Sequence, residues 1–170
     1  MLNGCNTFRN FYTARHNRIV DILFSFTKAL KPNLSFHKDR LMETVFPNTD
    51  FSNIIHRKPD IVAVDDINKS CIIIEVTVCF DLYLSQAFEQ KVLKYELLRD
   101  RLKDNGYEVK FIVVCFGSLG SIMDNVWSGR RYLQPDKEEL KRILKRCSIS
   151  CIIGSNYIWR HRVKKLFANE

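Results

Sequence analysis

An apolar run at residues 71–78 is interrupted by one charged residue, Glu75. Its β-branched residues predict a strand, and the shorter apolar run at 61–64 predicts another strand before it. The polar segment at 65–70 is typical of a turn, so we expect an antiparallel hairpin. Asp60 begins the first strand and Glu75 lies inside the second. The pairing should therefore bring both side chains to one end of the sheet.

These two carboxylates need a physical reason to lie beside an apolar strand. A lone buried charge is costly unless it is paired or binds a metal ion. Two converging carboxylates suit a hard divalent cation such as Mg2+, which takes oxygen ligands and keeps several waters for phosphate chemistry. The alternative is that Asp60 is a turn residue after Pro59 and that Glu75 points to solvent.

A helix is predicted directly after the second strand, over residues 82–103. The period of its apolar residues is helical, and Asn105 and Gly106 end it. The apolar stripe consists of Leu84, Phe88, Val92, Tyr95 and Leu102. Lys91 and Lys94 flank this stripe on neighbouring turns. At this end of the sheet, a lysine can reach a phosphate oxygen or polarise an attacking water.

The rest of the chain predicts an α/β organisation. We expect a first helix at 11–30, a short strand within 35–45 and a loop at 46–57. The run 108–116 is apolar enough to predict a central strand that is buried on both faces. Asp136 resembles an N-cap with Glu139 at the capping-box position, which predicts a helix that continues through Cys147.

Composition limits the classes of protein to which the chain can belong. Its 170 residues with 46% hydrophobic content fit one domain with a sizeable core. The formal net charge of +8 predicts affinity for a polyanion, of which nucleic acid is the simplest. The sequence has neither an apolar stretch near the ~20 residues of a membrane span nor a signal-peptide pattern.

Several segments, in this order along the chain, resemble the restriction-like endonuclease domain of site-specific non-LTR retrotransposons, a branch of the PD-(D/E)xK nuclease superfamily. They are the Arg-His-Asn segment at 12–20, Lys58-Pro59-Asp60, Glu75-Val76-Thr77, the Lys-x-x-Lys-Tyr of 91–95, and the strand with its Gly-Ser-Leu-Gly turn at 111–121. Most of the superfamily has its lysine where Thr77 stands here. In the retrotransposon branch the lysine function lies in the following helix, as it would here.

The resemblance implies an α/β fold of the PD-(D/E)xK restriction-endonuclease type, with a central mixed sheet of about four strands flanked by helices. It implies a metal-dependent endonuclease that nicks double-stranded target DNA in the nucleus. The nick would prime reverse transcription of the element's RNA by the reverse transcriptase of the same polyprotein. Asp60, Glu75 and the Val76 carbonyl would ligate Mg2+ or Mn2+, and Lys91 and Lys94 would assist catalysis.

Further residues are expected to contact DNA or to support the acids. Glu43 is a possible third acid, and His16 is interpreted as an ordinary surface or core residue. The residues expected to bind DNA are Arg15, Lys58, Lys94, Ser118, Ser121, Lys141, Arg142, Lys145 and Arg146. A solvated basic face explains the cations at 141–146 about as well as a DNA-binding surface does. The alternative function for the chain is a catalytically inactive nucleic-acid-binding module that keeps the nuclease fold.

The first ten residues are expected to lie outside the endonuclease domain, which would occupy residues 11–170. Leu2-Asn3-Gly4-Cys5 looks like the tail of the zinc knuckle that precedes the nuclease domain in the family. On this interpretation Cys5 is a zinc ligand separated from its partners, and residues 1–10 are a remnant of the knuckle or a linker.

Overall fold

The computed structural model describes residues 8–123 and 131–167. The Cys5 prediction lies outside these residues. The elements, in chain order, are α1 (Arg9–Leu30), β1 (Ser35–Lys38), α2 (Met42–Val45), β2 (Ile61–Asp65), β3 (Ser70–Cys79), a 3-10 turn (Asp81–Tyr83), α3 (Leu84–Lys94), α4 (Glu96–Asp104), β4 (Glu108–Gly117) and α5 (Lys137–Phe167).

The described strands form one mixed sheet in the order β1-β2-β3-β4. The pairs β1–β2 and β2–β3 are antiparallel, whereas β3 and β4 are parallel. The predicted hairpin is confirmed, with Ile61 opposite Ile74 and Asp65 opposite Ser70. The coarse prediction of an α/β fold with a four-stranded mixed sheet and flanking helices is also confirmed for the described part of the chain.

The position predicted for β4 is wrong. Among the described strands it pairs with β3 alone and therefore lies at one edge of the sheet. Its second half, from Ile112 to Gly117, is nevertheless buried. A continuous apolar run predicts a strand whose two faces are both packed against other elements, and such strands are usually central in a sheet. Here the helices supply that cover, so the composition of the strand does not reveal its place in the sheet.

Two apolar layers enclose the sheet, because side chains alternate between its faces along each strand. On one face, α1 and α5 pack over the side chains of Ile72, Ile74 and Val76. On the other face, α4 and the segment 42–54 cover Cys71 and Ile73. Glu75 belongs by alternation to this second face, and it lies where the apolar layer ends.

The single helix predicted at 82–103 is divided in two at Tyr95. All residues of α3 keep at least partial exposure, whereas α4 buries Leu98 and Leu102. Tyr95 is buried at the junction, with 1% of its surface exposed. The predicted end of the helical segment is confirmed at Gly106, whose φ of 82° is readily adopted by glycine.

Helix α5 is longer than predicted and packs along α1. The N-cap prediction is confirmed, because Asp136 Oδ1 accepts the backbone N–H groups of Glu138 at 2.9 Å and Glu139 at 3.0 Å. Near the other end, the guanidinium carbon of Arg162 lies 5.3 Å from the ring centroid of Phe8. None of the helices in the described residues is long and apolar enough to cross a membrane.

The two long helices pack closely together at Gly154. A Cβ atom on this residue would lie 2.6 Å from Cγ of Arg15, closer than van der Waals contact allows. The missing side chain therefore lets Arg15 lie against α5, where its Nη1 donates to Ser155 Oγ at 2.7 Å.

Candidate functional site

Asp60 and Glu75 meet at the end of the β2–β3 hairpin. They occupy the facing positions that follow the Ile61–Ile74 pair. The backbone N–H of Asp60 donates to Glu75 Oε2 at 3.2 Å, and the backbone N–H of Val76 donates to Asp60 Oδ2 at 2.8 Å. The register of the hairpin therefore brings the two predicted acids together and fixes their orientation through the main chain.

Lys91 makes a short ion pair with Glu75. Its Nζ lies 2.5 Å from Oε1, and the two side chains are 23% and 2% exposed, respectively. Burial and the charge of Asp60 raise the pKa of Glu75 by more than Lys91 lowers it. The positive charge of Lys91 thus offsets only part of the rise in the Glu75 pKa that burial and Asp60 cause.

Lys94 lies one helical turn from Lys91 and next to the buried Tyr95. Its Nζ is 4.7 Å from the centroid of the Tyr95 ring. Burial and the charge of Lys91 lower the pKa of Lys94 by more than the two acids raise it. Tyr95 donates its hydroxyl to the carbonyl of Lys58 at 3.3 Å. It therefore packs behind the lysines and links the end of α3 to the segment before β2 that carries Asp60.

His16 belongs to the site, although the sequence interpretation left it out. Its Nε2 lies 3.3 Å from Asp60 Oδ2 and 3.1 Å from the carbonyl oxygen of Val76. Burial lowers the pKa of His16, but the hydrogen bond and the charge of Asp60 raise it by more, so the net pKa is raised. The Arg-His-Asn segment was the available signal, but a lone histidine carries no spacing pattern that points to a carboxylate.

An open cleft of about 290 Å³ runs beside these residues, between α1 and the end of β3. Arg15, His16 and Lys91 contribute to its lining, together with the β3 residues Val76, Thr77 and Val78. Cationic side chains thus face a cleft whose floor is backbone and small side chains. Such a lining is complementary to the phosphates of a nucleic acid strand.

The donors at this site fit a divalent cation that keeps part of its water shell. Within the described ranges, no group of three or more His, Cys, Asp and Glu side chains is arranged to hold a metal ion. The donors that could hold one are the carboxylates of Asp60 and Glu75 and the Val76 carbonyl. Mg2+ is usually bound by one or two carboxylates, with waters and substrate phosphates completing the octahedron. A set of two carboxylates and one carbonyl meets that need.

The structure does not bring Glu43 into one group with the other two acids, and its role as a third acid stays a prediction. Glu43 lies in α2, and its Oε1 is 2.9 Å from Nη1 of Arg57. It is not part of any metal-binding group of three within the described residues. The short strand predicted within 35–45 is confirmed as β1, but it ends at Lys38, and Glu43 follows it in the short helix α2.

Several residues expected to bind DNA have structural partners. Arg15 is 5% exposed, and burial lowers its pKa. Lys58 pairs with Asp39 at 2.9 Å on the surface. Ser118 is fully buried, so it cannot meet a phosphate in this conformation. Ser118 and Ser121 both donate their hydroxyls to Asp81.

The basic face at the start of α5 is exposed, as the sequence pattern indicates. Lys141 pairs with Glu138 at 2.8 Å, and Arg142 lies 3.8 Å from Glu139. The remaining two cations of this face, Lys145 and Arg146, are exposed on the next turn. Their role in DNA binding stays a prediction.

Comparison of the chain with protein-family models finds no family that matches it, and comparison with curated proteins finds no match either.

Proposed function

We propose that this chain is a metal-dependent DNA endonuclease of the PD-(D/E)xK type found in site-specific non-LTR retrotransposons. The observation that carries the proposal is the convergence of Asp60, Glu75 and Lys91, with a 2.5 Å contact between the lysine and the buried carboxylate. Two acids and a lysine beside a cationic cleft provide the groups that hydrolysis of a phosphodiester requires.

Asp60, Glu75 and the carbonyl of Val76 would hold Mg2+ or Mn2+. When bound, such an ion lowers the pKa of a coordinated water and stabilises negative charge on the phosphate. The chain itself fixes the ligands before substrate arrives. The Val76 N–H holds Asp60 at 2.8 Å, and the Nε2 of His16 lies close to both the Asp60 carboxylate and the Val76 carbonyl.

The two lysines have different roles in this proposal. Lys91 lines the cleft and contacts Glu75, so its ammonium can orient the attacking water or stabilise charge that develops on a phosphate oxygen. Lys94 is further from the acids and holds a phosphate of the bound strand. His16 acts as a positioning residue for Asp60.

The substrate would be double-stranded target DNA in the nucleus. In line with the family resemblance, the nick would supply the 3′ end from which the reverse transcriptase of the same polyprotein copies the element's RNA. The net charge of +8 and the cationic lining of the cleft support a polyanionic substrate.

A second candidate is a catalytically inactive module that binds nucleic acid and keeps the nuclease fold. The Lys91–Glu75 ion pair favours it, because a lysine can balance a buried acid without a metal ion. The absence of a metal-binding group of three side chains among the described residues is compatible with it as well. Both candidates place DNA against the same surface, so only a measurement of cleavage separates them.

The test is nicking of a supercoiled plasmid with Mg2+ or Mn2+, with and without EDTA. We expect nicking that EDTA abolishes and that Asp60→Asn or Glu75→Gln slows by at least about 100-fold, because loss of a ligand removes several kcal/mol of transition-state stabilisation. Asp100→Asn is the matched control, since Asp100 is an exposed acid that pairs only with Lys103 in the described structure. It should nick at the wild-type rate.

Two outcomes would contradict the endonuclease. If both site variants nick as fast as wild type, the acids do not form the active site. If the wild type binds the plasmid but leaves it intact with either metal, the inactive module is the better description. Circular dichroism of each variant establishes that the fold is retained.

A further inference from the structure

A second recess lies between α1 and α5. It has a volume of about 210 Å³ and is lined by Phe11, Ala14 and Arg18 from α1 and by Ile153, Gly154 and Tyr157 from α5. Its walls are mostly apolar, and the guanidinium of Arg18 stands at an exposed position. At Gly154 the floor of the recess is formed by the Arg15 side chain, which lies against α5 there.

Aromatic rings form one wall of this recess. Phe11 and Tyr157 meet edge to face with centroids 5.2 Å apart, and the Tyr157 and His161 rings are 4.0 Å apart. Tyr157 is held by these neighbours and still exposes 50% of its surface. A fixed, half-exposed aromatic ring is the kind of platform on which single-stranded nucleic acids stack their bases.

The charge around the recess is positive. Residues 140–164 contain seven lysines and arginines and no acid, and residues 9–20 of α1 contain three arginines and no acid. With 3.6 residues per turn, Arg146, Tyr157 and Lys164 fall on one face of α5 along about 27 Å of helix. Cations therefore lie on both sides of the aromatic platform. This arrangement is complementary to a strand whose bases and phosphates alternate along its length.

The recess lies next to the candidate nuclease site. Arg15 lines both the recess and the cleft beside Asp60 and Glu75. A single side chain thus separates the cleft along Val76 and Val78 from the recess that contains Tyr157, so one nucleic acid strand is long enough to occupy both.

We propose that the recess between α1 and α5 binds single-stranded DNA, with a base stacked on Tyr157 and adjacent phosphates at Arg18 and the α5 cations. The choice of DNA over RNA rests on the proposed function, because the strand in the cleft is then the target of a DNA nuclease. Binding itself needs neither metal ion nor cleavage. A second copy of this chain is the rival occupant.

Binding is measured by fluorescence anisotropy in EDTA with a labelled oligothymidylate of about 20 nucleotides, a duplex of equal length and an oligouridylate. Tyr157→Ala should weaken binding of the oligothymidylate by about tenfold, which is the effect of losing one stacked base. Ala14→Leu should do the same by filling the recess while keeping every ring and charge. Affinity for the duplex should change less than about twofold in both variants.

Trp159→Ala is the matched control. Trp159 is an aromatic residue of the same helix with 57% exposure, and it points about 200° away from Tyr157 around the helix. Its replacement should leave binding of the single strand unchanged. If Trp159→Ala weakens binding as much as Tyr157→Ala, or if neither recess variant has an effect, the platform is not where we place it.

The remaining outcomes test the rival occupant and separate the two proposals. Tighter binding of oligouridylate than of oligothymidylate would overturn the DNA assignment. A dimer in sedimentation that Ala14→Leu dissociates would assign the recess to a second copy.

Asp60→Asn should slow nicking by at least about 100-fold and leave single-strand affinity intact. An inactive wild type that still binds the single strand through Tyr157 would therefore refute the nuclease but not the platform.

Discussion

At the scale of single residues, Glu75 shows what a sequence can predict about a site. Its place inside an apolar strand and the hairpin register were enough to pair it with Asp60. His16 could not be found in this way, because it contacts Val76 across 60 residues of sequence. A contact of that kind depends on how α1 packs on the sheet, which no local spacing encodes.

Glu75 also allows a prediction about pH. Burial and Asp60 raise its pKa above the ordinary value of 4.5, so the unfolded chain loses this proton at a lower pH than the folded chain. The free energy of unfolding of the metal-free wild type should therefore fall as pH rises from 4.5 through the raised pKa, by at most about 1.4 kcal/mol per pH unit. It should then level off.

Urea denaturation in EDTA at several pH values provides the measurement. Glu75→Gln lacks the titrating proton, so its stability relative to wild type should increase across this window. Asp100→Asn, an exposed acid of α4, serves as the control for general pH effects. A stability difference between Glu75→Gln and wild type that does not change with pH would contradict the raised pKa.

At the scale of elements, Asp81 connects the 3-10 turn to the turn that follows β4. Its carboxylate accepts the backbone N–H of Leu119 at 3.0 Å and the hydroxyl of Ser118 at 3.3 Å, as well as the hydroxyl of Ser121. Although burial raises the pKa of Asp81, hydrogen bonds from Ser121 and Leu119 lower it by more. The serines that the sequence suggested for DNA contact are therefore part of this turn-to-turn connection.

Replacing Asp81 should loosen that connection. We expect Asp81→Ala to lower the free energy of unfolding by about 1 to 3 kcal/mol, because donors to a charged acceptor lose their partner. Asp100→Ala, which removes an exposed pair on a helix surface, should cost less than about 0.5 kcal/mol. Urea denaturation at neutral pH measures both. Equal effects for the two variants would show that the turn does not depend on Asp81.

The elements also show where local pattern stops being informative. The apolar period of residues 84–102 runs through Tyr95 without a glycine or proline, and so it predicted one helix. The chain breaks there because Tyr95 is buried against the Lys58 carbonyl, a tertiary contact that outweighs helix propensity. By contrast, the N-cap at Asp136 was predictable, since capping is decided by residues within one turn.

At the scale of the whole molecule, the excess of positive charge was evident from composition, but its distribution required the fold. Lys141 and Arg142 have acidic partners on the preceding turn of α5, whereas Lys145 and Arg146 lie one turn further from those acids. Cations already neutralised by neighbours release fewer counterions when DNA binds. The second pair should therefore contribute more to the salt dependence of binding.

The prediction concerns the slope of log K against log salt for a short duplex. Each phosphate contact contributes about 0.9 to this slope. Lys145→Ala with Arg146→Ala should flatten it by up to about two units, and Lys141→Ala with Arg142→Ala by less. Titrations at several salt concentrations with scrambled duplexes give the slopes. Identical slopes for both double variants and wild type would remove this face from the DNA interface.

The contact between Phe8 and Arg162 has a consequence for how the ends of the two long helices open. It places the start of α1 beside the last turns of α5. Fraying at the start of α1 therefore removes a packing partner from α5, and fraying of the last turns of α5 removes one from α1. The two helix ends should open together, as one local unit.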